Sequence, residues 1–182
     1  MRTVINEPLP HEVADLIARR QRLGLDSHDE VWNGEYHMSP QPHTRHGRAQ
    51  LALVLELTPL IEAAGLHPML EFNLGHSDDF RVPDLGAFRR EYDAVWVDDA
   101  ALVVEVLSPG DEAWQKFDHY AEYGVDEVWM IEPADRRVQI FRRADLITPD
   151  PEPTGEFGPY VEVAHSDLLN VSAATICAAL PG

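Results

Sequence analysis

Apolar residues near the start of the chain recur at two different periods. Between His11 and Leu23 they fall at Val13, Leu16 and Ile17, with arginine-rich polar positions between them, the i, i+3, i+4 spacing of a short amphipathic helix. From Glu30 to Met38 they alternate instead around Asn33-Gly34, the strongest short hairpin signal, so two strands are expected. Ser39 to His43, with prolines at 40 and 42, breaks regular structure. Thr44 can then cap a long helix reaching about Ala64, with Leu51, Val54, Leu55 and Leu57 among its apolar residues and Pro59 as the point where it would kink.

Beyond that helix, Met69 to Leu74 and Arg81 to Phe88 read as strands separated by the polar turn Gly75 to Asp79. Ala101 to Leu107 is almost wholly apolar, the pattern of a central strand buried on both faces, and Ser108 to Asp111 ends it. Glu112 to Tyr123 places Trp114, Phe117, Tyr120 and Ala121 at helical spacing, with Gly124 as the stop. Glu127 to Glu132 and Arg137 to Arg142 are two further strands joined at Pro133 to Asp135. Thr148 to Pro159, rich in Pro and Gly, reads as a surface loop, because only a short segment follows it. The elements predict one α/β (α+β) domain over residues 1–182, a mixed central sheet flanked by helices, with no internal repeat.

A chain of 182 residues closes one substantial core without staples. No apolar run approaches the roughly 20 residues that span a bilayer, and Met1 to Pro10 has neither a basic nor an apolar signal region, so a cytoplasmic protein without membrane contact is expected. Cys177 is the only cysteine, which excludes an internal disulfide and a multi-cysteine zinc site; it reads as a small core residue. The formal charge of −18 opposes non-specific attraction to nucleic acid, whose affinity normally rests on neutralising phosphates.

One residue is physically out of place. Glu105 lies among Val103, Val104, Val106 and Leu107, where an ionised carboxylate costs several kcal/mol unless something pairs with it. It implies a partner or a metal, or else a strand end facing a solvent cleft. Asp84 follows Val82-Pro83, a sequence that restricts the backbone and either forms a turn or aims Asp84 at a neighbouring strand. Two carboxylates converging from adjacent strands make a hard-oxygen site suited to Mg²⁺ or Mn²⁺. Lys116, on the helix after the Glu105 strand, is placed to reach them, or is a solvated helix lysine. Glu71 lies on a strand that runs beside Asp84 or else faces solvent, and Arg45, Arg48, Arg89 and Arg90 are candidate phosphate contacts. Ser108 has no nucleophile elbow and reads as a turn or cap residue, and the four tryptophans as core or dimer contacts.

Val82-Pro-Asp84, then Val103-Val-Glu-Val-Leu-Ser-Pro109, Lys116 with Tyr120, Gly124 to Trp129 and Glu132-Pro133 together resemble the Uma-two family of endonucleases, inside the PD-(D/E)xK nuclease superfamily. The resemblance covers most of the chain. It implies a restriction-endonuclease-like core in which Asp84, Glu105 and the carbonyl of Val106 hold the ion. The superfamily's lysine normally stands two residues after the glutamate, where this chain has Leu107; the resemblance passes its role of orienting or activating water to Lys116. Glu35 and His46 match a glutamate and a histidine of the family. Their alternatives are an exposed hairpin residue and, for His43 and His46, a helix cap or surface histidine.

The function expected is Mg²⁺- or Mn²⁺-dependent endonucleolytic hydrolysis of DNA phosphodiesters, by a homodimer. The alternatives are a catalytically degenerate nuclease fold kept as a homodimeric binding or regulatory module, and a hydrolase of small phosphorylated substrates, for which an acidic surface is less of a handicap.

Overall fold

The computed structural model describes residues 3–5, 10–39, 41–148 and 157–181. In chain order the elements are β1 (Thr3–Ile5), α1 (His11–Arg22), β2 (Glu30–Trp32), β3 (Glu35–Met38), α2 (Thr44–Ala63), β4 (His67–Leu70), β5 (Asn73–His76), β6 (Asp79–Arg81), β7 (Leu85–Phe88), β8 (Trp96–Val97), β9 (Leu102–Val106), α3 (Phe117–Glu122), β10 (Glu127–Glu132), β11 (Arg137–Arg143), β12 (Tyr160–Val163), β13 (His165–Ser166), β14 (Val171–Ser172) and α4 (Ala173–Ala179), with 3-10 turns at Ala113–Lys116 and Ala144–Leu146. Most of the Met1 to Pro10 stretch, Pro40 in the break before α2, and residues 149–156 of the expected loop lie outside the described residues.

The mixed central sheet is present, ordered β12-β11-β10-β9-β7-β4. Only β9 and β10 pair in parallel within it. A second six-stranded sheet, β1-β3-β2-β6-β5-β8, which the hydrophobic pattern did not separate from the first, stands beside it. Side chains of β9 alternate between two cores. Leu102, Val104 and Val106 join Leu53, Leu57 and Ile61 of α2 and Ile176 of α4, whereas Val103 faces Phe117 and Tyr120 of α3. Glu105 shares the parity of Val103 and so points to the α3 side.

Local chemistry explains the ends of these elements. Asn33 (φ 50°) and Gly34 (φ 84°) are both left-handed, as a tight hairpin between β2 and β3 requires. The cap of α2 is His43, whose Nδ1 accepts from the Arg45 amide at 3.1 Å, and not Thr44, which is the first helical residue. Burial along α2 falls on Ala49, Leu53, Leu57 and Ile61, while Leu51 and Leu55 stay exposed, so the stripe is rotated from the one the apolar residues suggest. Cys177 is half-buried and donates its thiol to the Arg136 carbonyl; Ile176 and Leu180 hold the core places.

Two expected strands are each divided between the sheets. The Met69 to Leu74 run breaks at Glu71, whose φ of 46° turns the chain from β4 into β5. The Arg81 to Phe88 run breaks at Val82-Pro83-Asp84, because proline has no N–H with which to continue a ladder. The chain leaves the central sheet after β4, forms the β5–β6 hairpin of the second sheet, and returns at Asp84. The Gly75 to Asp79 turn is correspondingly shorter, since Gly75, His76 and Asp79 are strand residues.

Phe72 crosses this joint and lies on Gly86 of β7. A Cβ at Gly86 would sit 2.5 Å from the Phe72 ring and 2.8 Å from the Leu102 carbonyl oxygen. Gly86→Ala is therefore expected to cost about 1–3 kcal/mol through overpacking. Urea unfolding is the measurement, and a midpoint equal to that of the parent would show that the joint can shift freely.

Candidate functional site

A cavity of about 250 Å³ opens at the joint. Its wall is formed by His28, by Ser39, Gln41, Pro42, His43 and His46 ahead of and at the start of α2, by Glu71, Val82 and Asp84 of the crossing segments, and by Glu105 and Val106 at the end of β9 with the turn Ser108 to Asp111 that follows. The turn after β9 is held by Asp111, whose carboxylate accepts from the amides of Ser108 and Ala113. Ser108 is a member of that turn, as its surroundings in sequence suggest.

Behind this wall lies a buried cluster of charge. Lys116, 1% exposed, donates from Nζ to Glu105 Oε1 and to Glu30 Oε1, each at 2.8 Å. Tyr120 hydroxyl also donates to Glu105 Oε1. Glu30 accepts the Val82 amide at 2.8 Å and the Trp32 indole N–H at 2.7 Å, so one side chain of β2 ties together Lys116 and the segment that carries Asp84. Burial pushes the Glu105 carboxyl up; Lys116 opposes this, Asp84 and Glu30 add to it, and the balance lies at about 7. Burial and the charges of Glu105 and Glu30 hold the Tyr120 phenol protonated, which keeps it a donor.

Asp84 stands beside this cluster. Its Oδ2 accepts the Val106 amide at 2.7 Å, placing it one residue from Glu105 on the adjacent strand, and its backbone carbonyl accepts from Gln50 at 3.1 Å. Its Oδ1 lies 2.9 Å from His46 Nε2. Burial opposes protonation of His46, but the hydrogen bond and charge of Asp84, assisted by Asp111 and Glu105, outweigh it and raise the imidazole above its usual pKa.

The structure thus brings Asp84, Glu105, Lys116 and His46 together. Lys116 lies behind Glu105 and does not line the cavity. Glu71 sits at the cavity between β4 and β5, off both strands, with Gln50 donating to it at 3.2 Å. Glu35 is exposed on the hairpin; neither it nor Glu30, at the other end of that hairpin, lines the cavity, but Glu30 is the one that meets Lys116 behind the wall. Arg89 and Arg90 are engaged in ion pairs with Asp98, Asp99 and Asp126 past the far end of β7, while Arg45 and Arg48 are exposed on the first turns of α2. Of the tryptophans, Trp32 and Trp129 are buried, Trp114 packs among Phe117, Phe141 and Phe157, and Trp96 is 42% exposed.

Glu30 had a signal in the sequence. On a strand, residues two apart share a face, so Glu30 is carried to the buried side together with Trp32. The same Glu-Val-Trp sequence recurs at Glu127 to Trp129, where the Trp129 indole again donates to the buried glutamate, at 3.0 Å. The motif explains how each carboxylate is satisfied; only the meeting with Lys116 makes Glu30 part of a site.

The sequence profile of the Uma2 family, described as putative restriction endonuclease, matches residues 18–165, most of the chain. The chain belongs to that family. Among solved structures, one described as a putative nuclease belonging to DUF820, from Anabaena variabilis ATCC 29413, matches with a TM-score of 0.61 at 18% identity, over 84% of this chain and 91% of that one. At that identity the likeness speaks to the fold, which is the nuclease-type mixed α/β fold expected. No curated protein matches the chain. The Uma2 assignment makes this a nuclease-family protein.

The family implies a metal, and the donors can be tested for it. No three His, Cys, Asp or Glu side chains converge as a ready cage among the described residues. Asp84 and Glu105 nevertheless place two hard carboxylates on one wall of the cavity, with Val106 beside them. Glu105 faces the Lys116 ammonium and Asp84 the His46 imidazole. That donor set suits an ion such as Mg²⁺, which takes one or two carboxylates and keeps waters in its other positions.

Proposed function

We propose that the protein is a divalent-metal-dependent endonuclease that hydrolyses phosphodiester bonds of DNA at this cavity. The observation that carries the reading is the buried Lys116–Glu105 pair, 2.8 Å across, directly behind a cavity wall that also holds Asp84. Asp84 and Glu105, with the carbonyl of Val106, would hold Mg²⁺ or Mn²⁺. The ion supplies Lewis acidity to a phosphodiester oxygen and lowers the pKa of a water.

The chain's own residues supply the rest. His46 and the Val106 amide orient the Asp84 carboxylate. Lys116 and Tyr120 fix Glu105 through one oxygen, and Lys116 offsets part of the charge that Glu30 and Glu105 bring. Because Lys116 has no cavity surface, its part is to position Glu105 rather than to touch the substrate.

The test is nicking of supercoiled plasmid with Mg²⁺ or Mn²⁺ at low salt by the parent and by Glu105→Gln. Metal-dependent nicking by the parent alone is expected. A second reading, a nuclease fold retained as a binding module, is favoured by the hydrogen bonds that already engage both oxygens of Asp84. An absence of nicking together with no heat of Mn²⁺ binding would select it.

A further inference from the structure

We infer that the cavity takes one nucleotide of a flexible single strand of DNA, and not an intact duplex. The inference rests on the proposed nuclease reading and adds to it the form of the substrate.

Access comes first. Asp84 and Glu105 expose 17% and 7% of their side chains, so a reacting phosphate has to enter the cavity to reach them. At about 250 Å³ the cavity falls below the roughly 300–1,000 Å³ of sites that enclose a small organic molecule, so it admits at most a single unit of the strand and not a stacked base pair. A nucleotide within a duplex gains entry only by unpairing and unstacking; one in a single strand does not.

Charge points the same way. Among the described residues no arginine or lysine lines the cavity, and Glu71 and Asp111 add two carboxylates to its wall. Proteins that grip duplex DNA neutralise about 6–10 phosphates. Here the exposed guanidinium groups close in sequence to the wall are those of Arg45 and Arg48, Arg89 and Arg90 are spent on aspartates, and the whole chain carries −18. Two phosphate contacts serve a short flexible segment and are far too few for a duplex. His28 and His43 place two imidazoles in the wall, rings of the type on which unstacked bases can rest.

The experiment compares a labelled oligonucleotide, single-stranded or annealed as a blunt duplex, with Mn²⁺ at low salt. Opening one nucleotide costs a few kcal/mol, so kcat/KM for the single strand is expected to exceed that for the duplex by roughly a hundredfold. Equal or faster cutting of the duplex overturns the inference and leaves the nuclease reading standing; cutting of neither removes both. The salt dependence of KM gives an independent measure. Two contacts predict a log–log slope of magnitude about 1.4, falling by about 0.7 in each of Arg45→Ala and Arg48→Ala. A slope of magnitude about 5 or more, with neither arginine contributing, would signal a duplex-type interface instead.

Discussion

Lys116→Met is expected to destabilise the fold by about 3–5 kcal/mol, the range found when one partner of a buried ion pair is removed and the other charge is left behind. The size follows from burial on both sides. Glu30 is fully buried and Glu105 is 5% exposed, and both direct Oε1 at the same ammonium. Without it, two carboxylates face each other in a water-poor interior, with Tyr120 still donating to Glu105, and Val82 and Trp32 to Glu30. Adding Glu30→Gln and Glu105→Gln to the same chain is expected to recover much of the loss, since replacing a whole buried ionic cluster is often neutral. Urea denaturation of the single and triple variants checks this. A single variant within about 0.5 kcal/mol of the parent, the usual span of a surface substitution, would mean that Lys116 is solvated and the cluster open.

Asp84→Asn is expected to lower metal-dependent cleavage by about 10³-fold, the upper end of what losing one charge-stabilising group costs, and to weaken Mn²⁺ binding with it. The two oxygens of Asp84 receive two different donors, His46 Nε2 and the Val106 amide. An asparagine has only one oxygen; with that oxygen on the Val106 amide, its amide nitrogen faces His46, which can accept it only after giving up its Nε2 proton, and a neutral ligand replaces a charged one. His46→Ala separates orientation from ligation. It leaves both carboxylates, removes the hydrogen bond that orients one of them, and is expected to reduce Mn²⁺ affinity by about 10–100-fold, as for other outer partners of metal ligands. Titration calorimetry with Mn²⁺ orders the three proteins. If His46→Ala lost as much affinity as Asp84→Asn, the histidine would itself be a ligand; if neither changed, the ion does not sit at Asp84.

The difference between Glu35 and Glu30 shows what local pattern can and cannot deliver. Asn33-Gly34 marks the hairpin because left-handed backbone is a local property of those two residues, and the turn is where it was expected. Which glutamate of that hairpin enters the site depends on the neighbour of β2. That neighbour is β6, a strand of the β5–β6 excursion, and sequence spacing does not encode its approach.

Glu105 was conspicuous for the opposite reason. Its strand is apolar on both faces, so a single carboxylate stands out without knowledge of any partner. Asp84 was legible only as one half of a pair. Its turn chemistry is local, but its place beside Val106 comes from the antiparallel pairing of β7 with β9.

The chain's order of apolar and polar residues, its turn residues and one misplaced carboxylate were enough to specify the α/β class, most of the elements and Glu105 as the residue in need of a partner, while the choice of Asp84 and Lys116 beside it came with the family resemblance. These are short-range properties, set by side-chain period and backbone preference. The division of two strands between two sheets, the rotation of the buried stripe on α2, the meeting of Glu30 with Lys116 and the placing of Lys116 behind Glu105 were decided by packing. Each depends on which surfaces exclude water together, and that is a property of segments far apart in the chain.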